Sequence, residues 1–344
     1  MSSLHDKKLP SKIVMGECWA RDGLQNQTVM VPTDDKVEML TRAVEAGFTK
    51  LEATNFAHPR YLPQFADAEE VLTRIPRKEG VAYRAICTNF KGIERAIESK
   101  DGGFGVDEIA MVLSASEAHN MANVNMTQIE NMRLLEKMSR LAIDTGHEVF
   151  GWVLTSFGCP INGDVPLEDA ARIGQWWKDI GATWIGFGDT TGVANPVQVD
   201  SFYRYMLAEG FTTDETVVHF HDTRGWGVAN SLTALNMGYR YFDSSFGAVG
   251  GQPQTGAAMY HRGFAGNTCT EALVGMFEEM GVDTGIDVQK MITAGKRAEE
   301  ILGRQLRSNY IHAGPVRHDG IRYDKQEGIL DDEAQDAQDS RARG

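Results

Sequence analysis

Two histidines separated by one residue, His219-Phe220-His221, with Asp222 directly after them, form the most specific chemical signal in this sequence. On a β-strand, side chains two apart point to the same side, so both imidazoles can face one ion. A second cluster, Arg21-Asp22-Gly23-Leu24-Gln25-Asn26, sets an always-charged guanidinium beside a carboxylate. One group suits an oxyanion and the other a cation. Asp22, His219 and His221 together are a mixed oxygen and nitrogen donor set of the kind that takes Mg²⁺, Mn²⁺, Co²⁺ or Zn²⁺. Asp222 is expected just behind the ligands. Both clusters have plainer readings: histidines packed at a strand end, and a surface ion pair capping a loop. A third feature, Gly247-Ala248-Val249-Gly250-Gly251-Gln252-Pro253 with Gly263-Phe264-Ala265-Gly266-Asn267, reads either as the hinge of a lid that excludes water or as an ordinary strand-to-helix turn.

Residues this far apart in sequence meet only if the chain brings them to one face. Eight short apolar runs bounded by turn residues offer the means: residues 12–19, 48–55, 81–89, 107–114, 147–156, 183–190, 216–222 and 239–245. Helical patterns lie between them, among them 33–47, 62–75, 128–146, 166–181 and 229–238, with further helices near 268–281 and 287–304. The spacing is that of strand-plus-crossover-helix units. Eight such units predict a (β/α)₈ TIM barrel with extra C-terminal helices, an open doubly wound sheet being the competing arrangement. In a barrel, polar residues at the strands' carboxyl ends converge whatever their sequence distance. The candidates are Glu17, Arg21 and Asp22 from the first strand, Glu52 and Asn55 from the second, and Asn89 from the third. The fourth gives Ser114, Ser116, Glu117, His119 and Asn120, the fifth Thr155, the sixth Asp189 and Thr190, and the seventh the HxH pair.

The bulk properties narrow the partner. The chain has 344 residues, 42% hydrophobic and 24% charged, with a formal net charge of −14. That charge argues against nucleic acid and anionic membrane and for a small-molecule substrate. Residues 1–12 hold no apolar core of a signal peptide, and no run of 18 apolar residues occurs, so export and membrane insertion are not expected. Cys18, Cys87, Cys159 and Cys269 show no CxxC spacing, which fits a reduced, cytoplasmic setting. The layout read is an extension at 1–11, one barrel domain over 12–305 and a C-terminal extension at 306–344, polar and flexible at its end. Met121, Met126, Met132 and Met138 read as gap fillers, and Trp176 and Trp177 as packing against the barrel wall. His5, His261, His312 and His318 have no spacing that suggests a shared ion.

Taken in order, RDGLQN, LEATNF, SASE, GCP, GDTTG, HFHDT, GG-x-P and GN-x-x-TE resemble 3-hydroxy-3-methylglutaryl-CoA lyase, within the wider group of metal-dependent barrel lyases and Claisen-condensing enzymes. The likeness runs from about residue 12 to 305. It implies one divalent cation, Mg²⁺ or Mn²⁺ ahead of Co²⁺ or Zn²⁺, on Asp22, His219, His221 and Asn267. It further implies that Arg21 stabilises an enolate oxygen, that Glu52 assists proton transfer, that His219 shuttles a proton, and that Asp189 and Glu271 support the metal shell. Gln25, Asn89, Ser114, Thr155, Thr190 and Arg224 would face substrate or stand behind these groups. The implied reaction cleaves a 3-hydroxyacyl-CoA to acetyl-CoA and a keto acid, in a protein expected to be a homo-oligomer. Two residues depart from the pattern. Gln252 stands where the family's mobile loop carries a cysteine, and an amide cannot titrate near neutral pH. Either another residue handles the proton or the substrate differs, which keeps a pyruvate-releasing aldolase or a Claisen-type condensing enzyme as the alternative. Cys159 and Cys269 lie outside that loop. Arg224 follows the HFHDT run where smaller or uncharged residues are usual, and either receives a carboxylate or pairs with a surface acid. Trp19, just before Arg21, is expected to narrow the mouth.

Overall fold

Alternation along the eight apolar runs decides the architecture. The computed structural model describes residues 9–251, 266–318, 320, 323–324 and 328–329. Its strands are β1 (Val14–Glu17), β2 (Lys50–Asn55), β3 (Ala82–Ile86), β4 (Glu108–Ser114), β5 (Glu148–Leu154), β6 (Trp184–Asp189), β7 (Thr216–Phe220) and β8 (Tyr241–Ser244), each within its predicted run. Every neighbouring pair is parallel, and β1 pairs with β8, Val14 opposite Tyr241 and Glu17 opposite Ser244. The sheet therefore closes into a barrel, and the open-sheet alternative is excluded.

One parity of each strand packs inward and the other outward. Ile86, Ala110, Phe150, Trp152, Val217 and Tyr241 form a separate inner cluster. Their neighbours Tyr83, Ile109, Met111, Val149, Val153, Phe187, Val218 and Phe242 join the larger core with the helices. Those helices are α1 (Thr33–Ala46), α2 (Ala68–Arg74), α3 (Phe90–Asp101), α4 (Glu117–Val124), α5 (Gln128–Asp144), α6 (Leu167–Asp179), α7 (Pro196–Ala208), α8 (Gly227–Asn236), α9 (Thr270–Glu279) and α10 (Val288–Leu302). Their ends follow local chemistry. Asn195 caps α7 and Thr127 caps α5 in a reciprocal capping box with Glu130. Gly47, at φ 109°, ends α1 in a conformation that L side chains rarely adopt. Thr33 is the first residue of α1, and its hydroxyl donates to Asp67 at 2.7 Å.

Several sequence readings need correction. Glu117, His119 and Asn120 are not on the end of β4 but on α4, for which Ser116 is the N-cap. Met121 is exposed rather than filling a gap, whereas Met138 and Trp177 are fully buried as expected. Trp19 is buried in the main core and does not narrow the mouth. The chain divides into two compact units, Met1–His312, which holds the barrel, and Ala313–Gly344. In the second, Tyr323–Asp324 (β9) and Gly328–Ile329 (β10) pair antiparallel; the polar tail beyond lies outside the described residues.

Candidate active site

Just past β1 the chain makes one π-helical turn, Trp19–Gly23, closed by the Gly23 amide donating to the Cys18 carbonyl at 3.0 Å. This wide turn carries Arg21 and Asp22 inward, both buried, so the surface ion-pair reading does not hold. On β7, His219 takes the inward parity of Val217. His221 lies one residue beyond the strand and is kept in line by a bridge to Asn267. One ligand atom from each of Asp22, His219 and His221 falls within 4.8 Å of the others.

The donor set fits a divalent cation. The two Nε2 atoms stand 3.0 Å apart, and His221 Nε2 is 3.4 Å from Asp22 Oδ2. His221 Nδ1 donates to the Thr190 carbonyl at 2.8 Å, which leaves the Nε2 lone pair for the site. Asn267 Nδ2 donates to Asp22 Oδ2 at 2.6 Å and to the Val249 carbonyl at 3.0 Å, while its Oδ1 is buried with no hydrogen-bond partner. A buried acceptor left unpaired beside a carboxylate and two imidazoles is what a fourth ligand looks like. Burial alone would raise the Asp22 pKa, but the Arg21 charge, the His221 hydrogen bond and both imidazoles outweigh it and hold the carboxyl well below the usual range. The group is thus an anion at any working pH.

Arg21 links this set to the second strand. Its guanidinium donates to Asp22 Oδ1 at 2.8 Å and pairs with Glu52 Oε2 at 2.5 Å. Gln25 donates to Asp22 Oδ1 and to the Gly251 carbonyl, and Asn26 donates to the Gly250 carbonyl at 2.6 Å. The loops after β1 and β8 are thereby tied together. At Gly250, φ 120°, a Cβ would collide with the Asn267 amide and lie 2.8 Å from the Asp22 carbonyl. Glycine is required there for approach as well as conformation. Gln252, Pro253, Gly263 and the rest of 252–265 lie outside the described residues.

Above the triad opens a cavity of about 650 Å³, a size suited to a small-molecule site. Arg21, Asp22, Gln25, Asn89, Thr190, His219 and His221 line it, with Asn55, His119 and Trp152 among the other walls. Ser114 and Thr155 bond to each other at 2.8 Å, and Ser114 Oγ meets His119 Nδ1 at 3.0 Å. They hold a wall residue in place. Asp189 faces away from the triad and accepts from the Val193 and Ala194 amides; burial raises its pKa to about 6 against those bonds. Glu271 accepts from the Gly247 amide and the Cys269 thiol, and so shapes the start of the β8 loop. Asp222 accepts from the Gly227 amide at the start of α8. Arg224 donates to the backbone carbonyls of Thr191 and Gly192, and no ion pair to a surface acid is found among the described residues.

Two charged residues escaped the sequence reading. Arg84 on β3 and Asp243 on β8 are both 2% exposed and pair at 2.7 Å inside the barrel. Their signal was parity: Arg84 is two residues before Ile86 and Asp243 two after Tyr241, both inward-facing.

With this geometry in hand, the relatives are informative. A family model described as HMGL-like matches residues 13–297. The chain belongs to the HMGL-like family. Hydroxymethylglutaryl-CoA lyase YngG of Bacillus subtilis is 37% identical over 299 residues, covering 87% of this chain and 96% of its own. The mitochondrial hydroxymethylglutaryl-CoA lyase of Bos taurus is 35% identical, covering 88% and 90%. Among solved structures, the Bacillus subtilis HMG-CoA lyase superposes with a TM-score of 0.83 at 36% identity, covering 89% of this chain and 98% of that one. An Acinetobacter baumannii HMG-CoA lyase in complex with coenzyme A and 3-methylmalate gives 0.82 at 33%, covering 92% and 98%. The carboxyl transferase domain of Rhizobium etli pyruvate carboxylase, 17% identical with a TM-score of 0.64 over 87% of this chain and 49% of that one, shares the fold alone. The family and the barrel expected from the eight ordered motifs are those found.

Proposed function

We propose that this HMGL-like chain is a divalent-metal-dependent carbon–carbon lyase that cleaves 3-hydroxy-3-methylglutaryl-CoA, or a closely related 3-hydroxyacyl-CoA, to acetyl-CoA and a keto acid. The observation that carries the reading is the convergence of Asp22, His219 and His221 at the floor of the cavity, with Asn267, bonded to Asp22, keeping a buried Oδ1 without a partner. The likeness to named lyases, one of them solved with coenzyme A, supports the substrate class.

These four residues would hold Mg²⁺ or Mn²⁺, whose Lewis acidity eases loss of the substrate's hydroxyl proton. Arg21 borders the cavity with a guanidinium fixed by two carboxylates, and so stabilises the enolate oxygen that develops as the C–C bond breaks. Glu52 aims that guanidinium. His219 lines the cavity and moves the proton that Gln252, an amide, cannot. Asn89 and Thr190 line the cavity where substrate would lie, with Ser114 and Thr155 behind His119. Asp189 and Glu271 act through the loops they brace. The pyruvate-aldolase and Claisen-condensing alternative has only fold-level likeness behind it.

The lyase domain spans 12–305. A cytoplasmic setting agrees with four buried cysteines that form no disulfide, and among the described residues no helix is long and apolar enough to cross a membrane. We assign a homo-oligomer, which light scattering on the purified protein tests. The activity is tested by supplying 3-hydroxy-3-methylglutaryl-CoA with Mg²⁺ or Mn²⁺: acetyl-CoA and acetoacetate should appear together. No product from that or any other 3-hydroxy-3-substituted glutaryl-CoA overturns the reading, and CoA-independent pyruvate release would favour the alternative.

A further inference from the structure

Below the cavity, and lining none of it, Arg84 sits between two carboxylates. Its Nη2 donates to Asp243 Oδ2 at 2.7 Å, its Nε lies 3.4 Å from Glu52 Oε1, and its guanidinium carbon stands 4.3 Å from the Phe150 ring centre. A guanidinium this deep is tolerated only because it is paired. The room for the pair is made by Gly16, where a Cβ would collide with the Asp243 carboxylate.

The same Asp243 Oδ2 also faces His219 Nδ1, at 3.7 Å, too far for a hydrogen bond, and that nitrogen is buried without a partner. The two histidines are therefore held differently. His221 is fixed by a 2.8 Å bond to a backbone carbonyl, whereas the carboxylate nearest His219 is bonded to Arg84 instead. A carboxylate bonded to the outer nitrogen of a liganding imidazole makes it a stronger metal ligand. Arg84 withholds that bond and adds a positive charge nearby.

We propose that Arg84 is a positioning residue that competes with His219 for Asp243, and thereby sets how tightly His219 holds a divalent cation. The proposal rests on the reading of Asp22, His219 and His221 as a cation site. It carries a sign that a packing role would not: removing the arginine strengthens cation binding. Without Arg84, Asp243 has the imidazole as its remaining partner, and the surroundings lose one positive charge.

The test is calorimetric titration of metal-stripped protein with Mn²⁺, independent of turnover. Wild type should bind one Mn²⁺; no binding overturns the cation site itself, and this proposal with it. Arg84→Met should lower the Mn²⁺ Kd by about tenfold, and Arg84→Lys, which keeps the charge, should stay within about threefold of wild type. Asp243→Asn removes a carboxylate that Arg84 already holds away from His219, so it should raise Kd by no more than about threefold, and adding Arg84→Met to it should lower Kd by far less than the roughly tenfold seen alone. A folded Arg84→Met protein with unchanged or weaker binding, or additive effects in the double variant, overturns the proposal. Should Arg84→Met fail to fold, Asp243→Asn decides: a Kd raised about tenfold or more shows that Asp243 already supports His219 and overturns it, and a Kd within about threefold of wild type, with the stated Arg84→Lys result, supports it.

Discussion

A buried amide oxygen with no hydrogen-bond partner is costly to keep, by about 1–3 kcal/mol, and Asn267 keeps one beside Asp22, His219 and His221. The cost is recovered if the oxygen meets a cation. Asn267→Ala should therefore weaken Mn²⁺ binding while leaving the apo protein no less stable, apart from the lost bonds to Asp22 and Val249. His221→Ala should lower metal content and activity together, and elemental analysis showing full occupancy would remove it from the ligand set. Gln252 offers a third check. If the proton moves through His219, Gln252→Cys should leave kcat within about threefold; a gain of a hundredfold or more, the scale of general acid–base catalysis, would show the loop position to be the missing step. The cluster of Asp22, His219 and His221 was legible because HxH and Arg-Asp-Gly are local patterns. Arg84 and Asp243 were not, because a charge inside an apolar strand reads as an interruption until the partner strand is known. Arg224 shows the opposite case: its charge was visible, but the carbonyls it donates to belong to a loop more than thirty residues earlier.

At the level of the element, the π-helical turn after β1 does what neither a strand nor an α-helical turn would, placing consecutive residues Arg21 and Asp22 both inside. No periodicity announces a five-residue turn. Its base rests on Glu17, which accepts from the Trp19 and Phe246 amides and meets the Thr270 hydroxyl at 2.6 Å. Burial raises the Glu17 pKa to about 8, against the opposing hydrogen bonds from Thr270 and the two amides. Thr270 Oγ1 lies between Glu17 Oε2, to which it donates at 2.6 Å, and the Ser244 hydroxyl at 2.8 Å. The folded protein thus holds a proton that the unfolded chain releases near pH 4.5. This contribution to stability is full below that pH and is lost progressively as pH rises toward 8. Glu17→Gln, which cannot release a proton, should flatten the decline in melting temperature between pH 5 and 8, and a parallel profile would show Glu17 to be ionised. The strands were legible to within a few residues because each is an apolar run between turn formers. Helix α4 was not, since SASEAHN reads as the polar end of β4 unless Ser116 is recognised as a cap.

For the whole molecule, closure is the property that matters: β1 and β8 meet, and the loops that follow them meet again above the triad through Gln25, Asn26 and Asn267. A cation held by residues from β1, β7 and the segment after β8 bridges the seam of the barrel. Ligand linkage then predicts that Mn²⁺ at a hundred times its Kd stabilises the fold by about 2.7 kcal/mol. Melting temperature should rise by several degrees and return on adding EDTA, and no shift would place the cation elsewhere or nowhere. Eight repeats made the barrel legible; the pairing across its seam was not, because it joins residues some two hundred apart.

The return of the chain at Asn267 has a topological meaning. Val249 accepts from both the backbone amide and the side chain of Asn267, and Gly251 is held by Gln25. Gly251 and Asn267, on either side of 252–265, are thereby tied to the same site. A break within 252–265 would leave Gly251 and Asn267 each tied to the loop after β1, with Asp22 and both histidines on one fragment and Asn267 on the other. A cation bound by the proposed set would then act as the clasp between the two pieces.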